Sequence, residues 1–465
     1  MTFPNRLSAA LAATIALAGL SGCASVPDID EGAISRAGQT EKPELIGRQG
    51  PLSQRQSKAI LDRLAKTSKD ASLLERHLAI EQAVAESPLV AGNRTKMLRD
   101  GAATFHAMFQ AIQSAKVEIN LEYYTFEDIE SDGAHLGDLL LAKRQQGVAI
   151  NVIYDSYGSV ETPPAFFERL KAGGINLVEF NPVNPLDARS GYALNDRDHR
   201  KILVVDGAVA IVGGINMSAS YEGPSIAKSG NPAGPVLPWR DNDAEIEGPA
   251  AAQLQALFVE HWRAQKGPVF QGPVELPTAP AKGAEVVRII GSTPDHAVPR
   301  YYVTVLSAIS NAEKSVLINA AYFVPTHQEM EDLEEAAKRG VDVHLVLPAV
   351  SDSDLSMSVG HSRYSDLLEA GVKIFEMPKV ILHSKLVTVD GVWSVIGSSN
   401  FDHRSVLFND EVDAVIVGSD TAEQLQTMFA EDEAKSTAMT LEAWRNRPFG
   451  ERAHEMLDRL WQDLL

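Results

Sequence analysis

Asp198-His199-Arg200-Lys201-Ile202-Leu203-Val204-Val205-Asp206-Gly207 has a second copy far downstream, Leu382-His383-Ser384-Lys385-Leu386-Val387-Thr388-Val389-Asp390-Gly391. Each reads His-x-Lys-x4-Asp and runs through an apolar, β-type segment into an Asp-Gly turn. Side chains two apart on a strand share a face, so each His stands beside its Lys. A nucleophile or proton carrier is thereby set next to fixed positive charge, as attack on a phosphodiester requires. In the first copy residues 209–212 follow the Asp-Gly turn as an apolar return strand, a hairpin signal.

The surroundings of the two stretches repeat as well. Ala111-Ile112-Gln113-Ser114-Ala115, leading to Tyr123, corresponds to Ala308-Ile309-Ser310-Asn311-Ala312, leading to Tyr322. Leu170-Lys171-Ala172-Gly173-Gly174-Ile175 corresponds to Leu368-Glu369-Ala370-Gly371-Val372, and Gly213-Gly214-Ile215-Asn216 to Gly397-Ser398-Ser399-Asn400. One motif alone is a weak signal; two in matching positions of a repeat are not accidental. The duplication predicts two α/β units related by a pseudo-twofold, residues 93–266 and 284–465, with 267–283, rich in Pro and Gly, as linker. In the first unit the patterns predict helices at 104–115, 136–146 and 166–172 and strands at 117–126, 148–154 and 175–180. Residues 55–92 form an amphipathic helical lead-in expected to pack on the first unit. An insertion at 222–238 reads as a surface loop or as a lid.

At 465 residues the chain exceeds one ordinary core, and 45% hydrophobic with 22% charged residues is a soluble globular composition. The formal charge of -20 argues against non-specific attraction to nucleic acid, so an anionic substrate must be held by local cations. Arg6, the apolar residues 7–20 and Leu20-Ser21-Gly22-Cys23 have the layout of an export signal over residues 1–22, too short for a comfortable membrane span. Leu-Ser-Gly-Cys resembles a bacterial lipoprotein cleavage box. The resemblance implies that Cys23, the only cysteine, is lipidated, that 23–54 is a tether, and that the protein is exported and membrane-anchored through lipid. Ala24 in place of Asp after that cysteine points to the periplasmic face of the outer membrane.

The two motifs, together with Trp239-Arg240-Asp241, Glu247-Gly248-Pro249, Ala321-Tyr322-Phe323-Val324-Pro325 and Asn409-Asp410-Glu411, resemble the phospholipase D superfamily and, within it, the bacterial cardiolipin synthase branch. The resemblance implies two α/β sandwich domains whose motifs line one interface cleft, and a reaction needing no metal or cofactor. Its implied substrate is a phospholipid, phosphatidylglycerol first, and not nucleic acid. One of His199 and His383 would attack phosphorus to give a phosphohistidine while the other protonates the leaving alcohol. Lys201 and Lys385 would offset charge on the non-bridging oxygens, with Asn216 and Asn400 as further donors. Ser398 and Ser399 are additional candidate donors, and Gly213, Gly214 and Gly397 would let backbone approach the phosphate. Asp206 and Asp390 complete the motifs, although an Asp before Gly is first a turn residue with a structural or ion-pairing role.

Aligning residues 241–248 with 411–418 sets Asp241 opposite Glu411, and these carboxylates are expected to orient the two histidines. Tyr123 and Tyr322 are read as equivalent strand ends near the cleft, with core packing as their first role and substrate contact as the alternative, Trp393 as core, and His403-Arg404 as a headgroup contact or a helix-end salt bridge. Many cardiolipin synthases begin with membrane-spanning helices, where this chain carries the lipid-anchor signal. The resulting reading is a phosphatidyltransferase converting phosphatidylglycerol to cardiolipin and glycerol, with hydrolysis to phosphatidic acid as the first alternative and a nuclease as the second. Both motifs lie in one chain, so a monomer suffices.

Overall fold

The strand Lys201–Val205 turns at Asp206 and Gly207 into Val209–Gly213, with Ile202 opposite Val212 and Val205 opposite Val209. Both turn residues have positive φ (51° and 60°), as do Asp390 and Gly391 (52° and 67°) in the matching hairpin Lys385–Val389 and Trp393–Gly397. Asp-Gly tolerates that backbone and gives the twist that adjacent antiparallel strands need. Along the first strand Leu203 and Val205 enter the core of the first half, whereas Ile202 and Val204 enter a seam shared with the second half. This alternation dictates what lies on each side of the strand's start: His199 and Lys201 on one face, Asp198 and Arg200 on the other.

The computed structural model describes residues 43–459 except 69–71, 86, 185–192, 194, 223–236, 275–277 and 297, together with Val26, Ile29 and Gln462. In the first half the strands lie in the order Asn176–Phe180, Ala149–Asp155, Glu118–Tyr123, Lys201–Val205, Val209–Gly213, Asn242–Glu247, Leu89–Arg99. The second half repeats the order with Lys373–Met377, Asp342–Pro348, Ser315–Ala320, Lys385–Val389, Trp393–Gly397, Asn409–Val417 and Glu285–Ser292. Leu89–Arg99 pairs with Asn242–Glu247 along one part and with Glu285–Ser292 along the other, so it joins the two sheets. Val90, Ile202, Val212 and Ala244 meet Val287, Ile396, Val412 and Ala414 in the seam. Residues 267–274 follow the outer strands of the first half, where Asn151 Nδ2 donates to the Gln271 carbonyl (2.9 Å) and Asn176 Nδ2 to that of Val269 (2.8 Å).

The helical lead-in, Gln54–Ser68 and Ser72–Val84, corrects an expectation: it packs on the second half, not the first. Leu64, Leu78 and Ala85 belong to the second half's core. The physical reason is Arg288, fully buried on the strand Glu285–Ser292. Its Nε lies 3.1 Å from Glu81 Oε1 of the lead-in, and Gln82 accepts from its Nη2. A buried guanidinium needs such a partner. Glu81 also accepts from Trp393 Nε1 at 3.2 Å, and the His77 ring stands edge-on to that indole, which is core as expected. Residues 1–22, Cys23, most of the tether and positions 223–236 of the insertion lie outside the described residues. Among the described residues no helix is long and apolar enough to cross a membrane.

Candidate active site

Each histidine is positioned by the other half of the molecule. Arg197–Asp198 runs parallel to Asn409–Asp410, and the His199 backbone N–H donates to the Asp410 carbonyl at 2.9 Å. The pseudo-twofold repeats this: Ile381–Leu382 runs parallel to Trp239–Arg240, and the His383 N–H donates to the Arg240 carbonyl at 2.8 Å. The next residue on each supporting segment is a carboxylate. Glu411 Oε1 and Oε2 are both 3.0 Å from His199 Nδ1, and Asp241 Oδ2 is 2.9 Å from His383 Nδ1. Contacts at Nδ1 leave the Nε2 atom of each ring for other work.

Lys201 Nζ donates to the His199 carbonyl (2.6 Å) and Lys385 Nζ to that of His383 (2.5 Å). Tyr322 covers Lys385, with Nζ 5.9 Å from the ring centre, and stands edge-on to His383. In the first half that place is taken by Tyr124, 5.5 Å from Lys201 Nζ and edge-on to His199. Tyr123 is fully buried in the first half's core, the packing role expected for it, its hydroxyl toward Met108, and so is not the cleft counterpart of Tyr322. Successive side chains on a strand face opposite ways, so the Tyr-Tyr pair sends one ring to the core and one to the cleft.

Burial sets the electrostatics. It drives His199 down to about 4 against the pull of Glu411, and His383 well below the usual range, helped by Lys385. Burial likewise lowers Lys201 to about 7 and Lys385 to about 8, with Glu411 and Asp241 respectively as the main opposing charges. Asp241 is pushed up to about 6 by burial, opposed by Lys385. Burial also pushes Glu411 up, but His199, Lys201 and Ser398 outweigh it and hold the carboxyl below its ordinary value. Lys201 feels Lys385, and His383 feels both Lys201 and His199, so all four groups share one electrostatic site. Neutral imidazoles and crowded ammonium groups suit a phosphate, whose oxygens supply the missing negative charge.

The remaining expected residues divide. Asn216 Oδ1 accepts from the Thr125 N–H at 3.3 Å; Asn400, nearly buried, has an Oδ1 without a hydrogen-bond partner among the described residues. Ser398 donates to Glu411 and Ser399 to Asp413 Oδ2 (2.6 Å), so both hydroxyls serve carboxylates. The glycines have a related task. A Cβ on Gly214 would strike the Asp241 carboxylate, and on Gly213 or Gly397 it would strike Asp243 or Asp413. Asp206 and Asp390 lie at the far ends of their strands, where each accepts from three backbone N–H groups: of Lys116, Val117 and Glu118, and of Glu313, Lys314 and Ser315. Arg404 reaches the first half, donating to Asn195 Oδ1 and its carbonyl at 3.0 and 2.8 Å.

Two cleft residues escaped the sequence reading. The Tyr221 hydroxyl is 3.0 Å from His383 Nδ1, and the Trp239 ring centre is 4.9 Å from that imidazole. Tyr221 has no counterpart in the repeat to draw attention to it. Trp239 precedes the Arg240 that carries the His383 backbone, a signal visible only once that pairing is known.

Residues 108–223 and 305–433 match the family described as cardiolipin synthase, PLD-like domain. The chain is 33% identical over 414 residues to a cardiolipin synthase of Geobacillus thermodenitrificans, covering 89% of this chain and 80% of that protein. It is likewise 33% identical over 362 residues to cardiolipin synthase A of Pseudomonas aeruginosa, 77% of this chain and 71% of that one. In fold it is similar to the crystal structure of phosphatidylserine synthase from Haemophilus influenzae, with a TM-score of 0.62 over 83% of this chain and 99% of that one, at 12% identity.

Proposed function

This chain belongs to the phospholipase D-like cardiolipin synthase family, and we propose that it joins two phosphatidylglycerol molecules into cardiolipin with release of glycerol. It is a phosphatidyltransferase of the phospholipase D type, built from two phospholipase D-like α/β halves. The observation that carries the assignment of residues is the crossed pairing of His199 with Glu411 and of His383 with Asp241. In the first step Nε2 of one imidazole attacks phosphorus and the bond to the glycerol oxygen breaks, that oxygen taking a proton from Nε2 of the other imidazole, which enters the step protonated because the negative charge of the bound phosphate raises its proton affinity. In the second, the incoming hydroxyl gives its proton to the latter imidazole, its oxygen attacks phosphorus, and the phosphorus–nitrogen bond breaks. Lys201 and Lys385 hold the non-bridging oxygens, and the Asn216 and Asn400 amides assist.

The same reading has the protein exported and held through a lipidated Cys23 on the periplasmic face of the outer membrane, working as a monomer on phospholipids of that surface. Leu20-Ser21-Gly22-Cys23 supports the anchor, and the presence of both motifs in one chain supports the monomer. The test is purified protein incubated with phosphatidylglycerol vesicles and mass spectrometry of the lipids. Cardiolipin and glycerol in equal amounts are expected; phosphatidic acid as the main product would replace transfer by hydrolysis.

A further inference from the structure

Behind the reacting pair lies a second cluster that the reaction does not use. Asp198, on the opposite face of its segment from His199, Glu122 on the strand Glu118–Tyr123 and His261 on the helix Ala251–Ala264 bring ligand atoms within 4.8 Å of one another, all buried. Glu122 Oε1 is 2.8 Å from His261 Nδ1. On the far side of the ring, His261 Nε2 is 3.3 Å from Asp410 Oδ2. Asp198 Oδ2 and Glu122 Oε2 have no hydrogen-bond partner among the described residues, although both side chains are fully buried. The cation present is Arg200, whose Nη1 is 3.3 Å from Glu122 Oε1. When ionised, the three carboxylates against one guanidinium would leave two negative charges in the interior.

We propose that Glu122, Asp198 and His261 bind a divalent transition ion, Zn²⁺ by the chemistry of its ligands, as a structural site. One imidazole with two carboxylates is a ligand set that suits zinc, and a dication would match the charge of the ionised carboxylates. His261 presents Nδ1 to the ligand cluster, while Nε2 is 3.0 Å from Gln265 Nε2 and 3.3 Å from Asp410 Oδ2, so polar side chains hold the ring from its far side as around metal-bound histidines. A cavity of about 420 Å³, lined by Asp196, Glu260 and Asp295 together with Lys266, reaches the Asp410 side of His261 and brings a cation as far as that ring. Asp198 and Asp410 immediately precede His199 and Glu411, and their segments pair across the seam. All three ligands belong to the first half, so an ion here fixes Asp198 and His261 where they meet Asp410 of the second, directly behind one reacting pair, with no part in phosphoryl chemistry and no dependence on which lipid is the substrate.

The experiment is Zn²⁺ titration of the full chain after chelator treatment, followed by calorimetry, thermal unfolding and X-ray absorption at the zinc edge. One Zn²⁺ per chain is expected, with a raised unfolding temperature and one imidazole among oxygen ligands. Binding persists in the His199→Ala/His383→Ala double variant and disappears in His261→Ala and Asp198→Asn. Asp410→Asn weakens it by about 10–100-fold. Asp198→Asn keeps the size of the side chain and an acceptor for the Arg200 N–H, so its ion-free form is expected to unfold near the ion-free wild type, and misfolding does not explain its loss of binding. Absence of uptake, with an unfolding temperature unmoved by zinc or chelator, would assign the cluster to a shared proton. Loss of uptake in the double histidine variant would place the ion in the cleft. Either result overturns the site.

Discussion

His199 is oriented by Glu411, 212 positions away and in the other half of the molecule, with Nδ1 3.0 Å from each carboxylate oxygen. The pseudo-twofold returns the relationship as His383 with Asp241. Neither half thus contains a complete imidazole–carboxylate pair, and the apolar seam that joins the halves holds both pairs together.

Glu411→Gln and Asp241→Asn keep size but let the imidazole adopt the wrong tautomer. Loss of an orienting carboxylate in a comparable triad costs about 10⁴-fold in kcat. Each variant is expected to lose about 10²–10⁴-fold in kcat with little change in KM for phosphatidylglycerol. Wild-type turnover in either one would remove its orienting role.

The pH profile follows from the buried charges. Asp241, raised to about 6, must be ionised to hold His383, so the rate falls as pH drops through that value. Lys201 and Lys385, lowered to about 7 and 8, carry their charge below those values and lose it as pH rises through them. The profile of kcat/KM, which reports the free enzyme, is expected to be a bell with its maximum between about 6 and 7. Bound phosphate stabilises the ammonium forms, so the alkaline limb of kcat lies higher. A rate flat from pH 5 to pH 9 would contradict these assignments.

Both motifs and the repeat were legible because each is a local pattern copied twice, and alignment of the copies put Asp241 opposite Glu411. What alignment did not convey is that the supports are crossed, since pairing of Arg197–Asp198 with Asn409–Asp410 is a contact between halves. The lead-in was misassigned for the same kind of reason: its amphipathic pattern says that it packs, and only buried Arg288 says where. Tyr123 was chosen over Tyr124 because adjacent aromatics on a strand differ only in phase, which one residue of register decides.

His199→Ala and His383→Ala are each expected to abolish turnover, by at least about 10³-fold. Asp206→Ala and Asp390→Ala are expected to behave otherwise, although they belong to the same motifs. Each leaves three backbone N–H groups without their acceptor and puts an alanine at positive φ. A loss of about 1–3 kcal/mol in denaturant unfolding is expected, with kcat of the folded fraction unchanged. A large drop in kcat at full stability would return either aspartate to the chemistry.

Gly214 and Ser398 occupy matching positions, since the Gly214 N–H donates to the Asn242 carbonyl and the Ser398 N–H to that of Val412. Opposite glycine stands the shorter carboxylate, Asp241; opposite serine stands the longer one, Glu411, which accepts the serine's hydrogen bond. A Cβ on Gly214 strikes the Asp241 carboxylate, so Gly214→Ala displaces the group that holds His383. Overpacking of this kind costs about 1–3 kcal/mol, and here the strain falls on an orienting side chain. Gly214→Ala is therefore expected to lower kcat by about 10-fold or more, the lower end of what a misplaced catalytic group costs. The combined variant Gly214→Ser/Asp241→Glu rebuilds the other half's pair, with the longer carboxylate clear of the new Cβ and bonded to the new hydroxyl. It is expected to turn over faster than Gly214→Ala when both are assayed with phosphatidylglycerol vesicles. A double variant no better than the single one would mean that the two halves hold their carboxylates by different rules.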